Sequence, residues 1–305
     1  MIRLGLCCLF RDEPIRFRNT TATATAKRPR ELGLARISDI CRSNAEALLH
    51  SLHYCHRARI GCFRVTSQIM PLRTHPTVGY VPEQLPDFPA IFSLFQECRD
   101  FAQENAIRLA LHPDQFVVLA SPNETVVANS MSELAHHGEV AAWIGADVIN
   151  IHVGGSYGDK CSALERFAQR AACLSDQVRS RLTIENDDVV YNVRDLLPFC
   201  MRHGIPLVYD VHHHRCNPDD LTIAEASRLA KKTWNREPLF HISSPKEGWK
   251  GPAPRRHHDF INPRDFPDAW LNLNITVEVE AKAKELAVLR LQKAIERMRN
   301  RKRKT

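Results

Sequence analysis

A chain of 305 residues, 44% hydrophobic and 25% charged, can bury a large core and has the composition of a globular protein. No apolar run approaches the roughly 18 residues of a membrane helix, and the start of the chain, where Arg3 precedes a short apolar run and then Arg11, Asp12 and Glu13, has no signal-peptide pattern; no membrane partner is expected, and the expected compartment is the cytoplasm. The net charge of +7 is concentrated at one end. Ten Lys/Arg against two Glu lie between Lys282 and Lys304, while the remaining 32 basic and 33 acidic residues nearly cancel. Such a cationic element either attracts a polyanion or is a solvated helix end.

Short β-branched apolar runs alternate with longer segments of helical spacing. The first predicted strand is Ile2–Cys7, followed by an irregular stretch rich in Thr and Arg over 11–30. A helix is predicted over Ser38–Arg59 with Ser38 as its cap, then a strand at Cys62–Val65 and a helix at Phe88–Glu104. Strand Ile107–His112, helix Glu124–Ile144, strand Asp147–His152, helix Ser162–Val178 and strand Leu182–Glu185 come next. They are followed by helix Val193–His203, strand Pro206–Asp210, helix Thr222–Thr233 and strand Leu239–Ser243. A second irregular segment covers 244–262, a short helix is predicted at Pro263–Leu271, the last strand at Asn274–Glu280, and a final basic helix from Lys282 to about Arg299, within a tail running to 305. Eight strands alternating with helices over 1–305, without a linker or repeat, predict one (β/α)8 TIM barrel. A doubly wound sheet would carry a glycine-rich turn after its first strand, where Gly5 stands alone. Ten cysteines from Cys7 to Cys216 with no CxxC pair read as reduced, mostly buried thiols.

The strand ends carry the chemistry. In a barrel, catalytic groups sit at the C-terminal ends of strands. Six successive predicted strands finish or nearly finish with His112, His152, Glu185, Asp210, His241 and Glu280. Any one of these is better explained as a hydrogen-bonded core residue. Six in register are better explained by a shared metal cluster, because buried charges need partners. Imidazole and carboxylate donors suit Zn2+, Mn2+ or Fe2+. His213, just past strand six, is placed to turn inward beside Asp210, whereas His212 and His214 divide between support and solvent. Either His257 or His258 closes the site, and spacing does not choose. His50, His53 and His56 fall at helical spacing with no carboxylate partner and are assigned to a polar helix surface, as are His136 and His137.

With these positions in hand, the sequence resembles the UV damage endonucleases over nearly its whole length. The resemblance rests on Phe63-Arg64, Leu111-His112-Pro113-Asp114-Gln115-Phe116-Val117, His152 through Lys160, Glu185-Asn186-Asp187, Asp210 through His214, and Glu280 through Glu285. It implies a barrel related in plan to endonuclease IV that cuts duplex DNA on the 5′ side of an ultraviolet photoproduct. It implies a cluster of two or three divalent ions, often manganese with zinc as an alternative, held by His112, His152, Glu185, Asp210, His213, His241, His258 and Glu280. Glu185, His241 and Glu280 would be the catalytic members of this set. It also implies that Gln115 and Phe116 enter the duplex to probe the lesion, the plain alternative being a loop Phe packed on the barrel rim. The expected partner is damaged double-stranded DNA, and the expected state is a monomer. The sequence departs from the family in three places: Leu6 where an aromatic is usual, no Asn among Cys7–Arg11, and Leu239 in place of a modified lysine. Leu239 should share a face with His241 one layer deeper. Rival readings are an abasic-site phosphodiesterase of the endonuclease IV type, a metal-dependent sugar isomerase and a non-catalytic DNA-binding barrel; the basic tail that ends at Arg301–Thr305 and the Arg-rich loops Arg11–Arg30 and Arg255–Arg256 favour a polyanionic substrate.

Overall fold

The computed structural model describes residues 2–302. Eight strands, β1 (Ile2–Cys7), β2 (Cys62–Val65), β3 (Arg108–Leu111), β4 (Val148–His152), β5 (Leu182–Glu185), β6 (Leu207–Asp210), β7 (Leu239–Ile242) and β8 (Ile275–Val279), pair in parallel in chain order, and β8 closes on β1. Helices α1 (Ala22–Ala26), α2 (Arg30–Arg57), α3 (Phe88–Glu104), α4 (Glu124–Ile144), α5 (Lys160–Ala172), α6 (Asp176–Arg179), α7 (Val193–His203), α8 (Val211–Cys216), α9 (Ile223–Lys232) and α10 (Glu285–Lys302) occupy the connections. This is the predicted (β/α)8 TIM barrel, with each strand within one residue of its expected bounds. No described helix is long and apolar enough to cross a membrane, and all ten cysteines are free thiols, six of them buried.

Alternation along the strands sorts the core into two parts. One set of side chains, including Leu4, Leu6, Phe63, Leu109, Ile149, Ile184, Tyr209 and Phe240, faces the helix layer and forms the main apolar core. The other set fills the barrel interior. At its N-terminal end Arg3 pairs with Glu237 at 3.0 Å and Arg108 with Asp147 at 2.8 Å, and Arg108 also donates to Thr276 Oγ1. Above these lies a dry layer of Cys62, Ala110, Val148, Val208 and Leu239, capped from the side by Trp234. The third layer is polar and opens at the C-terminal mouth. A barrel interior that is apolar in the middle and charged at the top needs a reason for the charge, since each unpaired buried ion costs several kcal/mol.

Four helical expectations need correcting. The helix α2 begins at Arg30, not Ser38, because Pro29 with extended ψ starts it and Glu31 complements its first turn. Ser38 is buried inside it, and its hydroxyl accepts from Asp87 N–H just ahead of α3. The expected helix over 162–178 is two, α5 and α6, divided where Ser175 caps the second. Pro263–Leu271 forms two single 3-10 turns, Pro263–Asp265 and Asp268–Trp270; Pro267 between them has no N–H to continue a helix. His136 and His137 are buried on α4 rather than on its solvent face, while His50, His53 and His56 lie exposed or half-buried as expected.

Candidate metal centre at the barrel mouth

Glu185, the last residue of β5, is 1% exposed and lies at the middle of the polar layer. Its Oε2 is 3.3 Å from His112 Nε2 and 3.8 Å from His152 Nε2. Its Oε1 is 3.1 Å from His213 Nδ1 and 3.2 Å from His241 Nδ1. Asn150, two residues before His152 and therefore on the same face of β4, donates to Oε2 at 2.6 Å. The donor atoms of His112, His152 and Glu185 lie within 4.8 Å of one another, and so do those of Glu185, Asp210 and His241. Two three-donor groups thus share one carboxylate.

Asp210 ends β6 and caps the short helix α8, its Oδ1 accepting from His213 N–H at 2.8 Å. That turn is what swings His213 inward. Asp210 Oδ2 is buried and has no hydrogen-bond partner among the described residues, and the same holds for His152 Nδ1. Oδ2 lies 3.6 Å from His213 Nδ1 and 4.0 Å from His241 Nδ1, close but beyond hydrogen bonding. The electrostatics follow from crowding. Burial alone would raise Glu185, but the imidazoles of His241 and His152 and hydrogen bonds from His112 and His213 hold it well below the usual carboxylate range. Burial alone would lower His241, yet the carboxylate of Glu185 outweighs it and raises the ring to about 10. His213 is raised too, against its burial, by Asp210 and Glu185. His152 is lowered by burial.

This arrangement fits divalent ions. The donors are mixed imidazole and carboxylate, the set that suits Zn2+, Mn2+ or Fe2+. A buried carboxylate oxygen without a hydrogen bond, set among neighbouring imidazoles, is the kind of group that a bound cation satisfies.

Two of the expected positions fall differently. Glu280, just past β8, pairs with Arg64 at 2.7 Å and lies 3.5 Å from His241 Nδ1, so it borders the centre. His258 turns away: its Nδ1 accepts from Phe260 N–H at 2.9 Å, and it lines a separate recess with Trp249, Asp265 and Arg290. His257 turns inward, its Nδ1 3.7 Å from Glu280 Oε2 and its ring edge-on to His212 at 5.1 Å. The cause is local pairing. Pro245 and His257 form an antiparallel bridge, and His258 N–H donates to Ser244 O, so the two histidines project from opposite sides of an extended segment. His212 and His214 are both buried; His214 is bound between Tyr209 and Asp219.

Around the mouth, the loops after the strands present Leu9, Phe116, Tyr157, Val189 and Trp249, all exposed. Phe116 is 74% exposed, so it does not pack on the rim, and Gln115 beside it is exposed as well. A recess above Glu280 is lined by Cys7, Cys8, Arg64, Arg255, Lys282 and Lys284.

The profile of the UV-endonuclease UvdE family matches residues 2–305. The chain belongs to the UV-endonuclease UvdE family. Among its relatives, the UV DNA damage endonuclease of Bacillus velezensis (strain DSM 23117 / BGSC 10A6 / LMG 26770 / FZB42) is 35% identical over 87% of this chain and 84% of its own length. That of Bacillus cereus (strain Q1) is 34% identical over 83% and 81%. The crystal structure of SacUVDE superposes with a TM-score of 0.87 at 28% identity, covering 98% of this chain and 99% of the other. Endonuclease IV from Thermus thermophilus shares the fold at TM-score 0.60 and 15% identity, over 97% and 99% of the two chains. Two of the departures from the UvdE pattern noted above have a clear place in the barrel. Leu6 is fully buried and points into the helix layer, away from the mouth, and Leu239 lies in the dry layer directly below His241.

Three residues of the candidate site have no role assigned from the sequence, although Arg64 belongs to the Phe63-Arg64 stretch that carries the resemblance. Arg64 sits inside β2 with 8% exposure, Glu278 inside β8 with 1%, and Asn150 inside β4 with 2%. The signal was present for each: a polar side chain in the interior of an apolar strand, the same signal that marked Glu185.

Proposed function

We propose that this protein is a metal-dependent endonuclease that hydrolyses the phosphodiester on the 5′ side of ultraviolet photoproducts in duplex DNA. The observation that carries it is the pair of donor groups sharing Glu185 at the open mouth of a UvdE-family barrel. His112, His152 and Glu185 would hold one ion, and Glu185, Asp210, His213 and His241 a second, with Glu280 and His257 at the border where a third fits. His257 takes the place expected for His258. Manganese is the expected metal, with zinc the alternative. A bound divalent cluster supplies charge neutralisation of the phosphate and lowers the pKa of water from about 15.7 toward about 7.

The chain's own residues do the rest. Arg255, Lys282 and Lys284 surround the recess above Glu280 and would hold the phosphates flanking the cut. Glu185 and His241 at the shared centre, with Glu280 at its border, are the proposed catalytic set. Phe116, exposed on the loop that begins beside the ligand His112, would enter the helix at the lesion with Gln115, since a damaged pair unstacks more readily. The apolar rim of Leu9, Tyr157, Val189 and Trp249 fits exposed base faces better than it fits a sugar. Incision of an end-labelled, ultraviolet-irradiated duplex, with Mn2+ present or chelated, tests the proposal. Cutting next to the photoproduct that leaves an extendable 3′-hydroxyl and stops on chelation is expected. Cutting that ignores the chelator, or none on irradiated duplex, rules it out.

A further inference from the structure

Beneath the metal centre lies a buried ion pair that the proposed reaction does not use directly. Glu278 is paired in register with His241 across β8 and β7, and with Gly5 across β8 and β1. Its Oε2 is 3.0 Å from His241 Nε2 and accepts from Arg64 Nε at 2.6 Å; Arg64 Nη2 closes the same ion pair. The guanidinium then extends past Glu278, its Nη1 meeting Glu280 at 2.7 Å. The space for this is made by a missing side chain. A Cβ on Gly5 would lie 3.1 Å from Glu278 Cγ and 3.1 Å from Cys62 Cβ, tighter than ordinary packing allows.

The two neighbours of His241 Nε2 make opposite demands. Arg64 Nη2, 2.9 Å away, can only donate, whereas Glu278 can only accept. A neutral imidazole satisfying Arg64 would carry its proton on Nδ1, facing Glu185, and could not bind a metal there. One satisfying Glu278 carries its proton on Nε2 and turns the Nδ1 lone pair toward Glu185 and Asp210. An outer carboxylate on a ligand histidine is the usual device that fixes this tautomer. We propose that Glu278 and Arg64 form a positioning pair: Glu278 fixes His241 with Nδ1 free for the metal, and Arg64 neutralises Glu278 while tying it to Glu280.

This rests on the metal-centre reading above, and the experiment separates the two. Wild type, Glu278→Gln and the double variant Arg64→Gln/Glu278→Gln are titrated with Mn2+ by calorimetry. The same proteins, labelled with 15N-histidine and loaded with Zn2+, report the His241 tautomer by NMR. Wild type is expected to bind both ions with His241 protonated on Nε2. Glu278→Gln leaves Arg64 as an unbalanced cation below the cluster, and Mn2+ affinity is expected to fall roughly 10–100-fold with loss of the single tautomer. The double variant removes both charges together and leaves neither unbalanced, so it is expected to fold even where the single one does not; it is expected to recover part of the Mn2+ affinity but not the tautomer. A folded variant of either kind with wild-type affinity and wild-type tautomer overturns the positioning role. A wild type that binds neither ion overturns the metal reading itself, and this inference with it.

Discussion

At the scale of single residues, Glu185 decides most, because both donor groups depend on it. Glu185→Gln keeps the shape but removes the charge that four imidazoles surround. Incision is expected to fall at least about 10³-fold, equivalent to roughly 4 kcal/mol, with bound metal reduced in elemental analysis and the fold retained by circular dichroism. Full activity with unchanged metal would show that Glu185 is no ligand. The neighbouring histidines give a sharper contrast. His257→Ala is expected to weaken metal binding on the order of 10-fold, and His258→Ala to leave metal content unchanged, since only His257 faces Glu280. The reverse result would restore His258. This pair also shows where sequence reading stops. A residue ending a strand has its direction set by the two-residue period, so His112, His152, Glu185, Asp210 and His241 are recognisable from the sequence alone. His257 and His258 sit in a loop whose bridge to Pro245 is set by tertiary contacts, and neither composition nor spacing encodes it. Arg64 and Glu278 were overlooked because each lies one layer below the strand ends where ligands are sought.

At the scale of elements, strands were more legible than helices for a physical reason. A parallel strand buried on both faces is a short apolar run with sharp ends. A helix end depends on caps and on packing. In α2 the first turn carries Arg30, Glu31, an exposed Leu32 and Gly33 and shows no apolar stripe, yet it forms behind Pro29, with Gly33 buried beside Thr25 of α1. In α4 the polar-looking His136 and His137 are buried because the helix is covered on that side by the segment bearing Arg73 and by Val178 of α6, which presses on Gly138. The buried pair has a consequence for stability. Burial, reinforced by the nearby charges of His137 and Arg73, holds His136 well below 6.5. A histidine whose folded pKa is depressed binds its proton more readily unfolded. Stability is therefore full above the unfolded value near 6.5 and is lost as pH falls below it. The loss from this residue is about 1.4 kcal/mol per pH unit until its folded pKa is reached. Denaturant melts of wild type and His136→Gln between pH 8 and pH 5 check this: the acid loss is expected to be smaller in the variant. Equal losses in both would mean that His136 remains neutral in the unfolded chain as well or is charged in the folded one.

At the scale of the whole molecule, the basic C-terminal helix runs away from the mouth. At its start, the Glu285 carboxylate accepts from the backbone N–H groups of Arg11 and Asp12, in the loop that follows β1 at the C-terminal end of the barrel. Further along, Gln292 donates to Arg59 O just before β2, and Arg299 donates to Leu271 O just before β8, both at the N-terminal end. At about 1.5 Å per residue along α10, Arg297 and Arg301 lie about two to three Debye lengths below the mouth at physiological salt; Arg303 and Lys304 lie outside the described residues. On the proposed function, the cations that would meet the duplex are instead Arg255, Lys282 and Lys284, around the recess beside Glu280. The slope of log K against log salt distinguishes the two groups, because each lost phosphate contact makes it shallower by about 0.9. Lys282→Ala and Arg255→Ala are each expected to flatten the slope by up to that amount, equally for damaged and undamaged duplex, since phosphate contacts carry no lesion information. Arg297→Ala/Arg301→Ala is expected to leave it unchanged. A slope that responds to Arg297 and Arg301 but not to Lys282 and Arg255 would mean that the duplex rests on the opposite pole from Glu185, and would detach the basic recess from the cutting site.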